Sequence, residues 1–281
     1  MLSIVNGILS ALSWGAGDFA GGLATRKLGA YRAVFFGDLL GLLLLLLVNA
    51  FYRETIPSTS SLILAGLAGM TGSAGLMILY YSMAHGKMSI AAPVSALFAA
   101  AIPVIVGALI QGLPTLVNVI GFGLALLAVW LISQGDTLNR LPLDRLSDLR
   151  LPFFAGLGFG SYFIFMHYAT EGISSTVWPM IASRFAATVM LFVLVLVRRE
   201  SFSVQRDAWG FVLINATLDV GGNLFYLLAL QTGRLDISAI LSSLFPGATV
   251  LLAWIFLKER ISRPQWAGIL VALLAIALFA V

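Results

Sequence analysis

The chain has 281 residues, 60% of them hydrophobic and only 10% charged, with a mean hydropathy of +1.02. A soluble domain carries about 25% charged residues, so a water-soluble fold is excluded and the solvent is lipid. The absence of cysteine excludes disulfides, thiolate metal sites and a thiol nucleophile, and the net charge of +4 reads as membrane orientation, not as nucleic-acid binding.

A membrane span needs roughly 20 mostly apolar residues. Ten such stretches are expected, near 3–24, 33–51, 61–84, 89–110, 116–133, 152–170, 177–197, 208–230, 237–257 and 264–281. The N-terminal "MLSIVNGILSALSW" has no basic region and no small-residue cleavage site, so it reads as a retained first span. The first span carries Asp18 in the small-residue segment "SWGAGDFAGGLATRK"; Gly17 and Gly21 form a GxxxG pair that permits close helix approach. The second carries Asp38, the seventh Arg184 and the eighth Asp219. The polar segment "QGDTLNRLPLDRLSDLR" divides the chain near its middle.

The two sides of that segment resemble each other. The stretch from Gly75 lies over the stretch from Gly222 without a gap: Gly75 falls on Gly222, Ser95 on Ser242, Leu97-Phe98 on Leu244-Phe245 and Gly121 on Gly268. The expected organisation is a five-helix repeat over 1–134, a linker over 135–151 and a second five-helix repeat over 152–281. Five is odd, so the second repeat should cross the membrane in the opposite sense. The loop after the first span holds Arg26, Lys27 and Arg32, whereas its equivalent after the sixth holds only Glu171. The fold class expected is therefore an all-α integral membrane protein with ten transmembrane helices as two inverted five-helix repeats, an arrangement common among secondary transporters. Thirteen of the sixteen basic residues fall in loops after odd-numbered spans, which puts those loops in the cytoplasm and both termini outside.

Each charge within a span costs about 2.5–3.5 kcal/mol at a helix centre, so such residues face the bundle interior, pair, or line a wet path. For Asp18 two readings stand: a cap at a helix break, or a carboxylate in a central cavity. Asp219 has Asn215 and Asn223 four residues either side and Tyr226 seven beyond, so all four share one helical stripe. This is the strongest local signal, read either as a buried network or as a substrate or proton site. Asp38 and Arg184 hold corresponding places in the two repeats, and they read as a charge pair or gate across the internal two-fold. Alternatively, Arg184 takes a substrate carboxylate with its planar donors. Trp14, with Tyr162 and Phe163, is a further candidate for a cavity lining. No phosphate-binding loop, no catalytic serine elbow and no metal-spaced histidine pair is present, so no enzyme activity and no cofactor is expected.

The second repeat carries a recognisable pattern. "ISAILSSLFPGATVLLAWIFLKERISRPQWAGILVALLAIALF", with Pro246 after "SSLF", Glu259 in "KER", then Gln265 and Gly268, resembles the repeat of the EamA family in the drug/metabolite transporter superfamily. The first repeat departs from it: Gly112 stands at the place of Glu259 and Ala99 at that of Pro246. The resemblance implies ATP-independent export or exchange of small metabolites, often amino acids, across the inner (plasma) membrane. The alternatives are export of drugs or cationic compounds, and a non-transport multipass protein. The partners expected are a small-molecule substrate, the lipid bilayer and a coupling proton, in a monomer or homodimer, with no nucleic acid.

Overall fold

The computed structural model describes residues 1–85, 88–134 and 149–279. Most of the polar linker, and the glycine-lysine pair at 86–87, lie outside them. The described residues form helices α1 (Leu2–Leu28), α2 (Ala30–Tyr52), α3 (Thr59–His85), α4 (Met88–Ile110), α5 (Leu116–Gln134), α6 (Arg150–Thr170), α7 (Val177–Val197), α8 (Trp209–Thr232), α9 (Leu235–Ser242), α10 (Phe245–Leu257) and α11 (Arg263–Phe279), with no strand among them. Among the described residues, six segments are long and apolar enough to cross a membrane: α2, α3, α5, α7, α8 with its preceding turn, and α9–α10 taken together. The first helices of the two halves, α1 and α6, are not among the six, because glycine, serine and charged residues dilute their apolar content.

Two expectations are refined. The stretch expected as one span over 237–257 is long and apolar enough to cross as one, over Leu235–Leu257, but its helix is interrupted at Ser243–Leu244. Pro246 sits at the start of α10; it has no N–H for the carbonyl four residues back, and its ring crowds that carbonyl. Second, α1 runs without interruption from Leu2 to Leu28, so Asp18 caps no helix break.

Polar contacts fix how the helices run. Ser10 Oγ donates to the Gly222 carbonyl (2.9 Å), Ser13 Oγ to Leu218 (2.7 Å), and Asn215 Nδ2 donates to Gly17 (2.9 Å). Residue numbers rise along α1 as they fall along α8, so the two helices are antiparallel. The Ser61–Ala169 bond and the close approach of Gly72 to Tyr162 give α3 and α6 the same relation. So do Arg184–Asp38 and Phe35–Phe192 for α2 and α7, and Phe122–Phe279 with Gln265–Ile132 for α5 and α11. The pairing is reciprocal. The first helix of one half packs on the third of the other, twice over; second packs on second and fifth on fifth.

Leu43, Leu46 and Leu47 on α2, Phe185, Val189 and Val193 on α7 and Leu270, Leu273 and Leu274 on α11 are exposed. They form the outward face that lipid covers. Inside, alanines such as Ala65, Ala68, Ala125 and Ala128 are fully enclosed, small side chains that let backbones meet where no hydrophobic effect drives helices together.

Charge separates the ends. Lys27 pairs with Asp207, Arg32 Nε lies 3.8 Å from Glu200 and Arg26 3.8 Å from Glu259. These contacts gather the α1–α2, α7–α8 and α10–α11 connections at one end, together with Arg198, Arg199, Lys258, Arg260 and Arg263. Among the described residues the opposite end has Arg53 and Arg234.

Candidate functional site

The central feature is a bridge. Arg184 of α7 pairs through Nη1 with Asp38 of α2 and through Nη2 with Asp219 of α8. Two close approaches position it. A Cβ on Gly69 of α3 would stand 2.0 Å from the Ser183 carbonyl oxygen, so only glycine lets α7 lie this close beside its arginine. On α8, a Cβ at Gly222 would stand 2.4 Å from the Trp14 indole, which lets the α1 aromatic ring press onto the helix that carries Asp219. The guanidinium suits its place because its fixed fork of donors can serve two carboxylates at once.

The two carboxylates differ in access. The Asp38 side chain is 8% exposed and also has the Ser73 hydroxyl as a hydrogen-bond partner, whereas Asp219 is 29% exposed. Asp38 is the anchored end of the bridge and Asp219 the open end. Asn223 donates to the Asp219 carbonyl (2.6 Å) and faces its carboxylate (3.4 Å), and it accepts a hydrogen bond from the Tyr162 hydroxyl of α6. The sequence marks Tyr162 only as an aromatic; its role as the donor that turns Asn223 towards Asp219 follows from the α6–α8 approach.

The remaining members of the stripe have other occupations. Asn215 spends its amide on the Gly17 carbonyl and fills the seam against Gly21 and Gly37. Tyr226 is wholly enclosed, donates to the Phe163 carbonyl at 3.1 Å, and stacks in a layer with Trp14 (5.9 Å) and Phe163 (4.9 Å). This aromatic layer lies one turn from Asn223, towards the Arg234 end. Beyond it is a cavity of about 470 Å³ lined by His167, Thr170, Glu171, Gly172, Leu230 and Gln231, among others. None of the four interior charges touches that cavity.

Asp18 is exposed and, among the described residues, makes no ion pair or hydrogen bond with another side chain. It is on the opposite side of α1 from the lipid face, because Leu9, itself exposed, is half a turn away at about 100° per residue. Its helix neighbours Gly17 and Gly21 lie against Asp219 and Asn215 on α8, and Phe19 lies against Phe256 on α10. Asp18 lies one turn before Gly22 on the same side of α1, where a Cβ at Gly22 would meet nothing within 4 Å.

Two further clusters carry no sequence signal of their own. At the α7 N-terminus, Glu54 of the α2–α3 connection accepts from the Ser175 hydroxyl (2.7 Å) and from the Thr176 and Val177 amides (3.1 and 2.9 Å). At the α9 N-terminus, Arg234 holds the fully buried Asp236 through Nη2 (2.7 Å) and donates to the Gln111 and Gly112 carbonyls (3.1 and 2.7 Å). The hydrogen bonds that Arg234 donates to the Asp236 carboxylate push it above its ordinary pKa, so it stays charged. Among the described residues, no cluster of histidine and acidic side chains suits a metal ion.

The sequence profile of the EamA-like transporter family matches residues 1–134 and 150–281. An uncharacterized protein of Methanocaldococcus jannaschii is 31% identical over 94 residues, which are 33% of this chain and 69% of that protein. A solved crystal structure superposes with a TM-score of 0.80 at 12% identity, covering 99% of this chain and 96% of the other; at that identity it speaks for the fold. The profile match spans both halves, and the helices around the Arg184 bridge are apolar enough to cross a bilayer. The chain is a multipass membrane protein of the EamA-like transporter family.

Proposed function

We propose that the chain is a secondary transporter that moves small organic metabolites, amino acids foremost, by alternating access. In this reading ten spans form two five-helix repeats of opposite orientation. The antiparallel packing of α2 on α7 and of α5 on α11, helices that hold the same place in each half, supports it. The basic end faces the cytoplasm of the inner membrane, in keeping with the concentration of Arg and Lys there, and the termini face outside. The flow is export or exchange.

The observation that carries the reading is the unpaired Asp18, which opens into the bundle at the depth of the α8 segment from Asn215 to Asp219. Asp18 and Asp219 offer acceptors to a substrate ammonium. Arg184 keeps Asp38 and exchanges Asp219 for a substrate carboxylate, so one zwitterion satisfies both signs. A second reading, export of cationic compounds, is favoured by the charge balance of three carboxylates to one guanidinium.

Counterflow in proteoliposomes separates them. Labelled amino acids, amines without a carboxylate and acids without an amine are each tested against a trapped pool. Saturable exchange of amino acids, lost in Asp219→Asn, is expected. Exchange of amines alone would favour the second reading, and no saturable exchange by folded protein across the panel would contradict both.

A further inference from the structure

The ends of α2 and α7 carry matched features beyond the central pair. Asp38 and Arg184 are 146 residues apart, and the same offset lays Arg53-Glu54, just past α2, on Arg199-Glu200, just past α7. Arg53 and Arg199 both take the left-handed backbone conformation, at φ 48° and 54°, which is uncommon outside glycine. Each turn thus throws a glutamate sideways from the end of its helix towards the start of the other.

The two glutamates are in different states. Glu54 is fully engaged: besides the Ser175 hydroxyl and the two amides, the Thr176 hydroxyl approaches its other oxygen (3.3 Å), and Trp178 Nε1 donates to its carbonyl (3.1 Å). These amides belong to the first turn of α7, which has no partners within its own helix, and a carboxylate there also meets the positive end of the helix dipole. Glu200 is held more loosely. It forms a long ion pair with Arg32 at 3.8 Å, outside hydrogen-bond range, and the buried Arg32 Nε has no hydrogen-bond partner. The first-turn amides of α2 have no side-chain acceptor.

We infer that Glu54 and Glu200 are a pair of alternating latches, one at each end of the α2–α7 seam. In the state described here Glu54 is closed on the start of α7, while Glu200 keeps only a long ion pair with Arg32 and leaves the start of α2 uncapped. In the opposite state Glu54 releases the Ser175–Val177 turn, and Glu200 closes on Arg32 and the first amides of α2. The inference deepens the proposed transport reading and rests on it for the existence of a second state. The surroundings agree with it. At the Glu54 end the seam is sealed by Leu42, Leu45, Val177 and Ile181 and closed further by Arg234 and Asp236, while Asp18 and Gly22, nearer the basic end, are exposed.

Thiol labelling tests the latches without relying on transport, and the chain's lack of cysteine makes single-cysteine reporters simple to build. Gly22→Cys reports on the open side and Leu45→Cys on the sealed side; Leu42→Cys replaces the latter if Leu45→Cys lowers thermal stability. Rates of maleimide labelling are measured in detergent micelles, where both ends are accessible. With Glu54 intact, Cys at 22 labels fast and Cys at 45 slowly. Glu54→Ala is expected to speed labelling at 45 by about tenfold or more, the worth of a hydrogen bond to a charged group, and to slow it at 22. Glu54→Gln, which keeps an acceptor oxygen, falls between. Glu200→Ala leaves 45 protected. Faster labelling at both positions in Glu54→Ala would signify general loosening and overturn the inference, as would no change at 45. Equal exposure of 45 by Glu200→Ala would also overturn it. Counterflow in the same proteins keeps the two ideas apart: labelling shifts without any exchange leave the latches and remove the transport reading, whereas exchange without labelling shifts removes the latches alone.

Discussion

The two helices made from one apolar stretch, α9 and α10, have opposite surroundings. In α9 nearly every side chain is buried, down to Asp236, Ser238 and Ser242; in α10 none is, and Trp254, Ile255 and Phe256 face outwards. The difference extends across the molecule. Towards the Arg234 end the bundle is closed by α9, by the Arg234–Asp236 cluster on α4, by Glu54 on α7 and by the layer of Trp14, Phe163 and Tyr226. Towards the basic end α10 stands at the edge, and Asp18 and Gly22 are exposed. Arg234, Asp236 and Glu54 are partnered in the closed half, Asp38, Arg184 and Asp219 at the middle, and surface pairs such as Lys27–Asp207 at the basic end, whereas Asp18 has no side-chain partner among the described residues. Partnered charges hold the structure, and the proposed transport reading gives the unpaired carboxylate to the solute.

The comparison can be broken first at the middle. Arg184→Ala strands two interior carboxylates, and loss of one partner of a buried pair costs about 3–5 kcal/mol. The expected result is a sharply lowered unfolding temperature, with Arg184→Lys less severe because one ammonium cannot fork to Asp38 and Asp219 together. Next, Asp236→Ala takes the partner from Arg234 and loosens α4 from α9. The expected loss is about 2 kcal/mol, at the low side of the range for charged hydrogen bonds because Arg234 is partly exposed. Pro246→Ala sharpens the α9–α10 contrast: with the missing N–H restored, amides over 243–247 should gain protection from hydrogen exchange, while stability changes by about 1 kcal/mol or less. Unchanged exchange there would mean that packing, not proline, sets the break.

Helix extents were largely legible in the sequence, because apolar runs bounded by charges and glycine leave few alternatives in a bilayer. That Asp38, Arg184 and Asp219 would meet partners inside the bundle was legible for the same reason. Their partners were less so. The spacing of Asn215, Asp219, Asn223 and Tyr226 puts them on one stripe of α8, but four different neighbours take up that stripe: Gly17, Arg184, Tyr162 and Phe163. Which neighbour meets which residue depends on side-chain reach between helices far apart in the chain. Glu54 falls between the second and third expected spans and carried no signal, because its acceptor geometry needs the left-handed turn at Arg53, which no residue type announces. The interruption at Ser243–Leu244 had a visible cause in Pro246, but a proline near the start of a helix can equally be accommodated within a bend.

The most direct test of the account is solute exchange by Asp18→Asn beside its thermal stability. Asp18 has no partner to lose, so the account predicts an unfolding free energy within about 0.5 kcal/mol of the parent chain, together with exchange reduced about ten- to hundredfold, the worth of a hydrogen bond to a charged group. Exchange at the parent rate, or a loss that merely follows a loss of stability, would contradict the claim that the open carboxylate engages the solute.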